Sequence, residues 1–102
     1  MATSNGKPQP RYTLGMTGIA RSQLKSIVAA AGQPDPAKAV AAALRVIRDR
    51  LESDPGEFGE PLYHVAGLKM SIRCAAVAPL YLEYGLHDEK PVVVIRRYMA
   101  MG

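Results

Sequence analysis

Seven side chains in the second half of the sequence have types suited to phosphate chemistry: Lys69, Arg73, Arg96, Arg97, Tyr81, Tyr98 and Glu83. Lys69 and Arg73 are four apart, so in a strand they face the same way, opposite Met70, Ile72 and Cys74. Arg96 and Arg97 are adjacent and face opposite ways, so one of them joins that pair in either register. Arginine can hold a phosphate through two parallel hydrogen bonds and stabilise a charge-dense transition state, as in-line phosphodiester cleavage requires. Lys69, Arg73 and Arg97 are therefore the candidate catalytic residues. The same cations also fit a solvated sheet face, where they discourage aggregation.

Tyr81 can stack on a base or donate to a phosphate, or simply cover a half-exposed sheet. Glu83 shares its face, either as a general base or as a counter-ion for Arg73. Arg96 and Tyr98 share a face and complete, with Tyr81, the candidate nucleic-acid or partner contacts, whereas Tyr84 belongs to the core. His64 and His87 lack ligand-spaced companions, so no metal is expected. Cys74 is in register with Met70 and Ile72 and reads as a small buried hydrophobe. The sequence has no Gly-x-Ser-x-Gly, P-loop or dinucleotide fingerprint, and no cofactor is expected.

The elements that must position these residues follow from periodicity. Tyr12, Leu14 and Met16 alternate with Arg11, Thr13 and Gly15 as a short strand. Thr17 caps a helix with apolar positions Ala20, Leu24, Ile27, Val28 and Ala31, and Gly32 stops it. Asp35 and Pro36 start a second helix with a stripe of Val40, Leu44, Ile47 and Leu51. Its outer face carries Arg45 with Asp49 and Arg48 with Glu52, four apart. A turn at Ser53-Asp54-Pro55-Gly56 precedes three strand-like segments, Leu68 to Val77, Leu80 to Leu86 and Val92 to Met99. Leu80, Leu82, Tyr84 and Leu86 form one face of the second, and His87-Asp88-Glu89-Lys90 connects it to the third as a hairpin. Helices segregated from strands give an α+β class: an N-terminal strand and a two-helix hairpin packed on an antiparallel sheet. The helices can cover one face only, leaving the other for function.

Residues 1–10 are almost devoid of apolar side chains and read as a disordered tail before a single domain over 11–102. Apolar stretches such as Cys74 to Leu82 fall far short of the roughly 20 residues that span a bilayer. Met1 to Pro10 lacks the apolar segment of a secretory signal, so a cytoplasmic location is expected. One cysteine excludes an intrachain disulfide. A net charge of +4 favours nucleic acid or an acidic protein as partner.

Leu51 to Pro55 followed by Gly59-Glu60-Pro61-Leu62 resembles the linker that RelE/ParE toxins place between their second helix and their sheet. The basic strand with Lys69 and Arg73, the strand Leu80 to Tyr84, the acidic hairpin at Asp88 and Glu89, and the strand Val92 to Arg97 are similar to that family's sheet. The resemblance spans residues 11–99 and implies the toxin half of a toxin–antitoxin pair, bound by an acidic or partly disordered antitoxin. It implies either metal-independent cleavage of mRNA on the ribosome, as in RelE-like members, or poisoning of DNA gyrase, as in ParE-like members. Ala78-Pro79-Leu80-Tyr81 stands where RelE-like toxins commonly carry an arginine, and the basic or aromatic C-terminal extension does not follow Gly102. The alternatives are a non-toxic interaction module that keeps the fold, or a small nucleic-acid-binding domain; a homodimer fits either.

Overall fold

A computed structural model describes residues 11–101; the tail assigned to residues 1–10 lies outside them. The elements run β1 (Thr13–Met16), α1 (Gly18–Ala31), α2 (Pro34–Ser53), the single turn α3 (Pro55–Phe58), β2 (Glu60–Val65), β3 (Met70–Val77), β4 (Leu80–His87) and β5 (Val92–Ala100). Thr17 caps α1 as its type predicts, its Oγ1 accepting from the Ala20 amide at 3.1 Å. Gly32 ends that helix at φ +54°, a region where a Cβ is strained. Val28, assigned to the apolar stripe, is 48% exposed.

α2 begins at Pro34, one residue before the predicted cap. Asp35 lies in its first turn, where a carboxylate favours the positive end of the helix dipole. Of the stripe predicted behind it, Val40, Ile47 and Leu51 are buried, while Leu44 is half-buried and its neighbour Ala43 takes the fourth buried position. Of the two predicted ion pairs, Arg48–Glu52 forms at 3.2 Å, and Glu52 also meets Arg11 at 2.6 Å. Arg45 instead has no carboxylate within 4.0 Å among the described residues.

The strands form one sheet in the order β1-β5-β4-β3-β2. β1 pairs parallel to β5 and every other pair is antiparallel. The strand β2 replaces the expected linker after the Asp54-Pro55 break. Both helices lie on one face, over Leu80, Leu82, Tyr84, Val93, Ile95 and Tyr98. Each fully buried leucine there contributes on the order of 2 kcal/mol of apolar burial. No helix among the described residues is long and apolar enough to cross a membrane.

Candidate functional site on the open sheet face

Cross-strand pairing determines what reaches the uncovered face. Leu82 and Leu80 belong to the core, and their partners Ala75 and Val77 pack against it, so the odd-numbered residues of β3 face the helices. Arg73, opposite Tyr84, shares that side. This inverts the predicted face assignment of β3. Met70, Ile72, Cys74 and Ala76 occupy the open face instead.

Arg73 is a clamp beneath α3. Its Nη2 donates to the carbonyls of Gly56 and Gly59, each at 2.7 Å, while its Nε is buried without a protein partner. Next to it the Tyr84 hydroxyl donates to the Pro55 carbonyl at 2.6 Å. Burial raises the Tyr84 phenol, partly offset by the Arg73 guanidinium. The seam admits no extra atom at Gly59, where a Cβ would lie 2.5 Å from the Tyr84 hydroxyl and 2.6 Å from the Cys74 carbonyl oxygen.

Lys69 is not a strand residue. It takes the left-handed conformation, φ 53°, in the turn before β3, and its Nζ lies 3.7 Å from Glu89 Oε1. In the same region His64 Nε2 meets Asp88 Oδ2 at 2.7 Å, tying β2 to the connection between β4 and β5. His87 Nδ1 accepts from the Glu89 and Lys90 amides at 3.1 and 3.0 Å, so both histidines serve loop structure here. No cluster of potential metal ligands occurs among the described residues.

β5 contains a bulge. Arg97 opposes Glu83, yet the next pair is Ile95 with Tyr84, leaving Arg96 as the extra residue. Ile95 and Tyr98 therefore both enter the core, although an unbroken strand would send residues three apart to opposite faces. The predicted strict alternation of Arg96 and Arg97 fails for this reason. Arg96 is half-buried, its carbonyl accepting from Thr17 Oγ1 at 3.2 Å. Tyr98 is 3% exposed and its phenol is pushed up to about 12 by burial, so it offers no ring to a ligand.

What the open face does bring together is narrower than the predicted set. Across it run Glu60, Cys74, Glu83 and Arg97 in register, beside Ala76, Tyr81 and Met99. The counter-ion partner expected for Glu83 was Arg73; the residue opposite it is Arg97. The Tyr81 phenol is raised first by the Cys74 side chain, then by burial and Glu83, with Arg97 opposing. Tyr81 supplies a phenol O–H, Glu83 a carboxylate and Arg97 an exposed cation. The next row, Tyr63, Ile72, Gly85 and Val94, is apolar. Met70 covers it: a Cβ on Gly85 would lie 2.8 Å from the Met70 sulfur. The sequence carried a signal for Cys74 and Glu60 only through strand pairing, which requires β2 to be recognised.

No protein-family model matches this sequence. Among curated proteins there is likewise no significant match. Among solved structures, a chain from the crystal structure of the RelBE2 toxin–antitoxin complex of Mycobacterium tuberculosis is similar over 92% of this chain and 94% of its own. The two share 26% identity at a TM-score of 0.64. The fold is thus shared along nearly the whole length of both chains, and this chain's two helices on a five-stranded sheet are RelE-like.

Proposed function

We propose that this protein is the toxin-like component of a type II toxin–antitoxin pair, cytoplasmic and bound by an antitoxin, and that it acts by gripping a protein target through its open sheet face. The near full-length similarity to a chain of a toxin–antitoxin complex carries the first part. The second rests on the composition of that face. Arg73 is committed to the carbonyls of Gly56 and Gly59, and Lys69 sits in a turn, so Arg97 remains from the predicted trio of cations. On the same face lie Val94, Tyr63 and Met99, a surface closer in chemistry to a protein interface than to a polyanion channel. This composition supports the gyrase-binding mode over the mRNA-cleaving mode.

Induced expression without a partner provides the test. Growth should stop while ribosome-bound mRNA stays intact, and Tyr63→Ala with Met99→Ala should relieve the arrest. Unchanged growth would sink the toxin reading and leave a non-toxic interaction module.

The adjacency of Tyr81, Glu83 and Arg97 supports one second reading, RNA cleavage without metal. Glu83 would take the 2′-hydroxyl proton as that oxygen attacks phosphorus, Arg97 would hold the phosphate, and Tyr81 would protonate the departing 5′-oxygen, leaving a 2′,3′-cyclic phosphate. Cleaved mRNA on induction, abolished by Glu83→Gln, would favour it.

A further inference from the structure

The end of the sheet where β4 turns into β5 is fastened by both histidines of the chain, and the two fastenings respond to acid in opposite ways. His87 closes β4, and its Nδ1 accepts from the backbone amides of Glu89 and Lys90 at 3.1 and 3.0 Å. A ring nitrogen that accepts N–H groups carries no proton, so the single hydrogen of this imidazole is on Nε2 and the ring is neutral. His64, in β2, reaches the same connection from the edge of the sheet, with Nε2 2.7 Å from Asp88 Oδ2. That contact is a hydrogen bond in the neutral ring and an ion pair in the protonated one. Three further contacts complete the clasp: the Asp88 amide donates to the Lys69 carbonyl at 2.8 Å, Lys69 Nζ lies 3.7 Å from Glu89, and the Thr13 amide donates to the Pro91 carbonyl at 2.8 Å. The titratable and charged groups around His87 are Asp88, Glu89 and Lys90 of the connection, Tyr12 ahead of β1 and Lys69 in the turn before β3. No carboxylate lies within 4.0 Å of a His87 nitrogen among the described residues.

We propose that the β4–β5 connection is a pH-sensitive clasp, closed while His87 is neutral and opened over Glu89 to Pro91 when that ring takes a proton. Imidazole is the side chain whose charge ordinarily changes between about pH 5 and pH 8. A proton on Nδ1 turns a donor toward two donors, so both amides lose their acceptor and meet a positive charge. Asp88, Glu89 and Lys90 are exposed, so water takes over the freed amides and the opening stays local. Asp88 remains tied to the Lys69 carbonyl and to His64, whose contact acid strengthens, and this confines the change to the second half of the connection. His87 is also the cross-strand partner of Met70, whose sulfur covers Gly85, so the change reaches the adjoining end of the open face.

The test is a proton–nitrogen NMR titration of the full chain from about pH 8 to about pH 5. At the upper end the ring-nitrogen resonances of His87 should show Nδ1 without a proton. On acidification the Glu89 and Lys90 amide signals should move along the same curve as the His87 ring. Their exchange protection, corrected for the intrinsic effect of pH, should fall at least roughly fivefold, while the core amides of Leu82 and Ile95 keep theirs. His87→Asn offers a side-chain oxygen that accepts from local amides and does not titrate in this range, so the two signals should lose their pH response. If that variant unfolds earlier than the parent, His87→Gln takes its place. His64→Gln should leave the response of the two amides intact. Three results would overturn the proposal: a proton on Nδ1 of His87 at the upper pH, a response that disappears with His64→Gln, or an unchanged response in the His87 variant. Loss of Leu82 and Ile95 protection along the same curve would also overturn it, because acid would then be unfolding the domain instead of opening a clasp.

Discussion

The two faces of the sheet use similar residues to opposite ends. On the covered side an arginine, a tyrosine and a glycine, Arg73, Tyr84 and Gly59, are locked into one another and into α3. On the open side an arginine, a tyrosine and a glutamate, Arg97, Tyr81 and Glu83, face solvent with no ion pair within 4.0 Å joining Glu83 to Arg97. Packing commits the first group to stability; its absence leaves the second free for a partner. Charge alone therefore does not identify a working residue here, and hydrogen-bond partners do.

Substitutions on neighbouring positions can break this contrast. Leu82→Ala, beneath the helices, should lower unfolding free energy in urea by about 2–5 kcal/mol. Its neighbour Tyr81→Phe, on the open face, should stay within about 0.5 kcal/mol. A large loss at Tyr81 would mean that face is also structural. Arg73→Ala should cost about 1–3 kcal/mol, because it frees two carbonyls from a charged donor. Had Arg73 been a working group, activity would fall at unchanged stability. Thr17→Ala removes the α1 cap and should cost about 1 kcal/mol, read from the thermal midpoint. The smallest effect concerns pH. Arg11 and then Arg48 hold the Glu52 carboxyl below its usual 4.5, so its stabilising contribution is present above that value and fades as pH falls below it. Glu52→Gln should flatten this part of an acid-unfolding curve.

Legibility tracked how one-sided each segment is. α1 and α2 were readable because Thr17 and Pro36 punctuate them and because Ile47 and Leu51 form a single stripe. β4 was readable because Leu80, Leu82 and Tyr84 leave no ambiguity about which side is buried. β3 alternates just as cleanly but carries apolar residues on both sides, Ile72 on one and Ala75 and Val77 on the other. Alternation then gives two faces without saying which the helices take, and the larger side chains pointed to the wrong one. β2 escaped notice because it is an edge strand with proline as its second residue, interrupted by a bulge at Leu62 and exposed along most of its length. The bulge at Arg96 leaves no mark in residue type, so one slipped position decided the placement of Tyr98.

The parallel pairing of β1 with β5 joins Thr13 to Val92 and Met16 to Ile95, so the first strand of the described chain is held by the last. Contacts that distant in sequence require a large loop to close before they return any energy, which slows folding. During synthesis α1 emerges early, yet its cap residue Thr17 hydrogen-bonds through its amide to Ile95 and through its hydroxyl to Arg96. Docking of the first helix therefore waits for β5. A protein assembled in this order completes its open face only once β5 has paired, whatever has folded before it.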